Sequence, residues 1–162
     1  MKYLLKCFLI PALCLSLGME RASLEAADLL DPMEYLHSNA MEIVAKLGDD
    51  FRRIESKNGY FLEWTFNNKE VILATFDERS ICTGYTFADR FQVSEEIVNR
   101  ILSPVMARNR STGQVEFFPF EKIFNFNFFS SKEEYTNELG YVATKDKTFV
   151  RVRIDKEKNP WY

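Results

Sequence analysis

Tyr60-Phe61-Leu62-Glu63-Trp64-Thr65-Phe66 alternates along its length, with Tyr60, Leu62, Trp64 and Phe66 on one side and Phe61, Glu63 and Thr65 on the other. That two-residue period belongs to a strand with one strongly apolar face. Asn67-Asn68-Lys69 then reads as a turn, Val71 to Phe76 as a second strand, Asp77 to Ser80 as another turn and Ile81 to Phe87 as a third strand. Sequential strands joined by short polar turns predict an antiparallel meander.

On the N-terminal side of the meander the period changes. Asp31-Pro32 reads as a helix start, with Asp31 as N-cap and Pro32 in the first helical position. Met33, Leu36, Ala40, Ile43, Val44 and Leu47 form an apolar stripe at helical spacing, and Gly48 is placed to end the helix. On the C-terminal side, Ser94 reads as an N-cap with Val93 and Val98 as a hydrophobic staple. Ile97, Val98, Ile101, Leu102 and Val105 continue that second helix, which Pro104 kinks or interrupts.

After a loop at Ser111-Thr112-Gly113 comes a phenylalanine-rich stretch from Val115 to Phe129. Within it Phe124, Phe126 and Phe128 alternate with Asn125 and Asn127, which is strand period again. Ser131 to Glu134 matches a capping box for a short helix that Gly140 closes. Tyr141 to Thr144 and Thr148 to Ile154 form a hairpin, and Asn159 to Tyr162 is a tail. The order of elements predicts an α+β fold: an antiparallel sheet with helices packed on one face, in a single domain over residues 27–162. The two halves share an outline of helix then strands, without a residue-level repeat.

The segment Met41-Glu42-Ile43-Val44-Ala45-Lys46-Leu47-Gly48, followed by the strand from Tyr60, resembles small exported helix-then-meander modules. These include the β-lactamase-inhibitor-protein-like group and the small lipoprotein of the outer-membrane assembly machine. The resemblance covers residues 36–87, and it implies a protein-binding or scaffold role. The assembly lipoprotein carries an acylated cysteine, which this chain is expected to lack.

Residues 1–26 read as a signal peptide, with cleavage expected somewhere in 18–27. Lys2 and Lys6 precede an apolar run from Cys7 to Leu17 that is too short to span a bilayer. Leu13 stands before Cys14, where a lipid-attachment site wants a small residue. The expected location is periplasmic or extracellular, with the membrane met only through the transient leader. Of the 3 cysteines only Cys82 lies outside the leader, so no internal disulfide is expected and stability must come from packing. A net charge of −3, with Lys and Arg spread along the chain, gives no basic footprint for nucleic acid. Arg151, Arg153, Lys156 and Lys158 read as a solvated strand face.

No linear signature of catalysis is present. The chain has 1 histidine, His37, and a pairing of it with Cys82 has only coexistence in its favour. The acid pairs Asp49-Asp50, Asp77-Glu78, Glu95-Glu96 and Glu133-Glu134 fall at turns or helix starts, where carboxylates are at home. No phosphate-binding glycine loop, dinucleotide fingerprint or cysteine–histidine zinc spacing occurs, so no catalytic residue, metal or cofactor is expected.

The aromatic segment carries the functional expectation. Phe117, Phe118 and Phe120 surround Pro119, and a strand sends neighbouring side chains to opposite faces, so they are hard to bury together. With Trp161 and Tyr162 from the tail they form a candidate docking site for another protein. The leading expectation is a non-catalytic exported binding protein of inhibitor, immunity or assembly-factor type. Its rivals are a carrier of a small apolar ligand in a Phe-lined pocket, then a carboxylate-based hydrolase.

Overall fold

The meander forms as its period demands. Strands β1 (Arg52–Ser56), β2 (Gly59–Phe66), β3 (Glu70–Phe76) and β4 (Cys82–Asp89) run antiparallel in sequence order. Tyr60, Leu62 and Trp64 of β2 are buried, and so are Ile72, Ala74 and Phe76 of β3. Asn67 and Asn68 make the β2–β3 turn with φ of 49° and 57°, left-handed values that asparagine tolerates better than most residues. Strand β1 had its own signal in Asn58-Gly59. Gly59 has φ of 140°, and a Cβ there would collide with the Phe76 carbonyl oxygen. At the sheet edge β1 exposes Arg52, Arg53 and Glu55, charges of the kind that discourage edge-to-edge pairing.

The computed structural model describes residues 32–123 and 131–162. The leader, the Asp31 cap and the alternating Phe124, Phe126 and Phe128 lie outside the described residues. The later strands are β5 (Val105–Arg108), β6 (Val115–Phe118), β7 (Glu121–Ile123), β8 (Glu133–Thr136), β9 (Tyr141–Lys145) and β10 (Phe149–Ile154). One eight-stranded sheet has the order β1-β2-β3-β4-β10-β9-β8-β7, and β5-β6 form a separate two-stranded sheet. Two four-stranded meanders are thus joined where β4 pairs with β10. On β10, exposed Arg151 and Arg153 alternate with buried Val150, Val152 and Ile154, a solvated strand face as expected, whereas Lys156 and Lys158 are exposed in the turn that follows the strand.

The α+β expectation does not hold. Among the described residues there are ten strands and three short helices, α1 (Pro32–Tyr35), α2 (Ala40–Leu47) and α3 (Glu95–Ile101), and the architecture is mostly β. Among the described residues no helical layer covers the sheet. Individual side chains (Ile43 and Leu47 of α2, Val98 and Ile101 of α3, Val105 of β5) complete a core whose bulk comes from the strands.

Two local competitions explain the correction. The single helix expected from Pro32 to Leu47 breaks at His37, whose φ is 71°. His37 N–H donates to the Cys82 carbonyl at 2.9 Å, and Cys82 N–H donates to the Ser38 carbonyl at 2.9 Å, so the chain pairs with the start of β4 before the helix restarts. Asn39 recaps it through a capping box, with Oδ1 accepting from Glu42 N–H and Glu42 Oε2 accepting from Asn39 N–H. The helix expected at Ser131 to Glu134 is replaced by β8, hydrogen-bonded to β7 and β9. The capping-box spacing there has no apolar stripe behind it, whereas Ser94 has one and does cap α3. Gly140, with φ of 73°, serves the β8–β9 turn.

Candidate functional site

The phenylalanine-rich stretch begins as a hairpin that stands apart from the main sheet. Helix α3 ends before Ser103-Pro104, because a proline disfavours helical geometry in the residue ahead of it. Val105 therefore starts β5 and does not extend the helical stripe. Strands β5 and β6 pair with Val105 opposite Phe118, Met106 opposite Phe117, Ala107 opposite Glu116 and Arg108 opposite Val115. Asn109 organises the connection, its Oδ1 accepting from Ser111 and Thr112 N–H at 2.9 and 3.1 Å.

Period two then sorts the ribbon into two faces. Val105 is buried, and Ala107 and Phe118 pack against the core. Met106, Phe117 and Val115 point the other way and are 67%, 64% and 51% exposed. Met106 and Phe117 are direct cross-strand partners, so their side chains form one contiguous apolar surface.

Among the described residues, two clefts flank the ribbon. The larger, of about 570 Å³, lies between Glu116–Pro119 and the β7–β8 side, where Glu121, Asn137, Glu138 and Lys158 complete its wall. The smaller, of about 310 Å³, is lined by Arg108, Arg110, Phe118 and Trp161 among others. Both share Glu116 and Phe118.

The five residues singled out by the sequence separate accordingly. Phe117 and Phe118 line the larger cleft, and Phe118 and Trp161 line the smaller. Phe120 is half-buried against the core and lines neither. Tyr162 turns away, and its hydroxyl donates to Asp77 Oδ2 at 2.6 Å. Met106 was missed because Val105 was read into the helical stripe across Pro104, and Val115 because it was read only as the start of the phenylalanine-rich stretch. Glu116, Glu121 and Glu138 were missed because scattered carboxylates have no linear pattern.

The tail reaches its place through Asn159, which is buried. Asn159 Nδ2 donates to the Leu139 carbonyl and its Oδ1 accepts from Trp161 N–H, at 2.9 and 3.0 Å. The Trp161 ring then stands edge-on to His37 at 6.5 Å.

Asp77 is the most heavily bonded carboxylate nearby, accepting from Tyr162, the Arg79 and Ile81 backbone N–H groups and the Arg79 guanidinium. Burial raises its pKa, but these hydrogen bonds together hold it below the usual carboxylate value. It organises a turn and a tail contact.

His37 and Cys82 do not form a nucleophile–base pair. The Cys82 thiol is buried, donates to the Gly84 carbonyl at 3.3 Å and has its pKa pushed up to about 12 by burial. A thiol of that kind stays protonated and unreactive at neutral pH. His37 Nε2 instead meets the Tyr141 hydroxyl at 3.0 Å, and partial burial lowers its pKa.

Among the described residues no group of three or more His, Cys, Asp or Glu side chains is arranged to hold a metal ion. None of the described helices is long and apolar enough to cross a membrane. Comparison of the chain with protein families, with curated proteins and with solved structures finds no match in any of the three.

Proposed function

We propose that this chain is an exported binding protein that engages another polypeptide through the outer face of the β5–β6 ribbon, without catalysing a reaction. The observation that supports this reading is the exposed Met106–Phe117 pair extended by Val115. Large apolar side chains held side by side in water are energetically idle in the free protein, and covering them is favourable at about 25 cal/mol per Å². Methionine and aromatic residues are also the types enriched at the centres of protein interfaces. The leader predicted at residues 1–26 supports the exported part of the reading.

The small-ligand carrier gains less support. Both clefts beside the ribbon are walled by charged side chains, Glu116, Glu121, Glu138 and Lys158 in one and Arg108 and Arg110 in the other. An apolar cargo favours an apolar lining.

The test is capture of partners from envelope and secreted fractions with a photo-crosslinking residue at position 117, beside a Met106→Ser/Phe117→Ser variant. Both of these residues are exposed, whereas Phe118 packs against the core and its loss would confound folding with binding. A discrete crosslinked partner that the double variant fails to capture is the expected result. Equal capture by the variant moves the interface elsewhere, and the absence of any crosslink at position 117 removes the ribbon from the proposal.

A further inference from the structure

The ribbon presents main-chain groups as well as side chains. Asn109 N–H donates to the Gln114 carbonyl at 2.8 Å, and the register continues from that pair through Arg108–Val115, Ala107–Glu116, Met106–Phe117 and Val105–Phe118. Hydrogen-bonded and non-hydrogen-bonded pairs alternate along an antiparallel ladder. Glu116 and Phe118 therefore direct their N–H and C=O groups toward β5, while those of Val115 and Phe117 point away from it. Among the described residues β6 has no other neighbouring strand, and no backbone group bonds to Val115 or Phe117 from that side.

The larger cleft lies along this edge. Its volume of about 570 Å³ is lined by Glu116, Phe117, Phe118 and Pro119 and by no residue of β5. The β1 edge of the main sheet exposes Arg52, Arg53 and Glu55, whereas β6 carries no lysine or arginine. An edge with unpaired, alternating donors and acceptors is complementary to the backbone of another extended chain. A second copy of β6 fits it poorly. The antiparallel register in which two copies join Val115 to Phe117 sets Glu116 opposite Glu116, and like charges directly opposite repel. The register that joins Phe117 to Phe117 sets Val115 opposite Pro119, which has no N–H to give. Glu121 and Glu138 in the same cleft add to the repulsion between copies.

We infer that an extended segment of the partner polypeptide adds to the β6 edge as a third strand of the ribbon, its main chain bonding to Val115 and Phe117. This inference rests on the polypeptide-binding reading and adds the mode of recognition. Side chains of the added strand alternate between faces, so every second one joins the apolar surface of Val115, Phe117 and Met106. The main-chain bonds are indifferent to sequence, and selectivity lies in that alternate set of side chains.

Random linear peptides displayed on phage are selected against the full chain, and the best binder is remade with a backbone N-methyl group at each position in turn. Affinity is measured for the parent and for Met106→Ser/Phe117→Ser, the variant first being shown by circular dichroism to retain the parent fold. Amide hydrogen exchange of the parent is followed by NMR with and without the peptide. The expected peptide has apolar residues at alternate positions, and N-methylation weakens it about tenfold at every second residue with little effect in between. The Val115 and Phe117 amides should exchange fast in the free chain and slowly in the complex, while Glu116 and Phe118 are protected in both. N-methylation tolerated at every position overturns strand addition, and the ribbon reading then still stands if Met106→Ser/Phe117→Ser abolishes binding. Slow exchange of Val115 and Phe117 without peptide also overturns it: sedimentation as a dimer assigns the edge to a second copy, and sedimentation as a monomer assigns it to the chain itself. Peptides indifferent to N-methylation and to the double variant, or no enrichment at all, overturn both.

Discussion

Strand β2, Gly59–Phe66, and strand β6, Val115–Phe118, are both rich in aromatic and aliphatic residues, yet their side chains meet opposite fates. In β2 the Trp64 side chain is 2% exposed and donates from Nε1 to the Gly48 carbonyl at 2.9 Å. In β6 the Phe117 side chain stands in solvent opposite Met106. The difference is not one of local conformation, since both segments are antiparallel strands. It comes from neighbours. β2 lies between β1 and β3 with Leu47 and Phe51 packed into the same core, while among the described residues β6 is paired only with β5. A strand pattern tells which side chains share a face. Whether that face is covered depends on elements distant in sequence.

The largest effect expected from this contrast comes at Trp64. Trp64→Ala removes a fully buried indole and its hydrogen bond, and it should cost about 3–5 kcal/mol in urea unfolding at equilibrium. A cost below about 1 kcal/mol would mean that the sheet face around Trp64 is not the core of the protein.

A smaller loss is expected at the junction of the meander with the tail. Asp77→Asn replaces a carboxylate that accepts from Tyr162, Arg79 and Ile81, and it should destabilise the protein by about 2 kcal/mol at neutral pH. The pH dependence has a definite sign. The folded-state pKa of Asp77 lies below its unfolded value, so its contribution is present above about pH 4 and is lost as pH falls through the folded pKa. For His37 the folded pKa is also lowered, by burial. The neutral imidazole is the form the fold favours, so stability declines as pH drops below about 6.5. Unfolding free energy measured from pH 7 to pH 3 in the parent, Asp77→Asn and His37→Gln would separate the two. Each substitution should flatten the profile in its own window, and an unchanged profile removes that residue from the account.

How far the sequence could be read follows from the same contrast. The β2–β4 meander, the β9–β10 hairpin and the Ser94 cap were legible because each depends on nearby residues. The break at His37 was not, because it is made by backbone hydrogen bonds to Cys82, far along the chain. The Ser131 capping box misled because a three-residue spacing does not distinguish a helix start from a strand once β7 and β9 supply partners. In the candidate site, Phe117 and Trp161 were legible as surplus aromatics. Glu116, Glu121 and Glu138 were not, since only the fold brings them to one cleft.

Gly48 gives a smaller and more local test. It has φ of 94° and ψ of 171°, a region essentially confined to glycine. Its N–H donates to the Val44 carbonyl at 2.8 Å and its carbonyl accepts from Trp64, so both sides of the residue are pinned. Nothing lies within 4 Å of an added Cβ, so the cost of Gly48→Val is backbone strain, about 1–2 kcal/mol. Unchanged stability would show that the helix end relaxes freely and does not fix the approach to Trp64.

The smallest effect is expected at the ribbon, and it decides what the contrast means. Met106→Ser/Phe117→Ser removes two large apolar side chains, as Trp64→Ala removes one. Because both already face water in the folded chain, their removal should change the unfolding free energy by no more than about 0.5 kcal/mol. The residues that anchor the ribbon, Val105 and Phe118, are untouched and remain in the core cluster. A loss above about 1 kcal/mol would show that this face is covered in the intact protein by its own chain. The difference between β2 and β6 would then be one of degree, and the ribbon would have no apolar surface to offer a partner. Unchanged stability with lost capture would show instead that Met106 and Phe117 contribute to binding and not to folding.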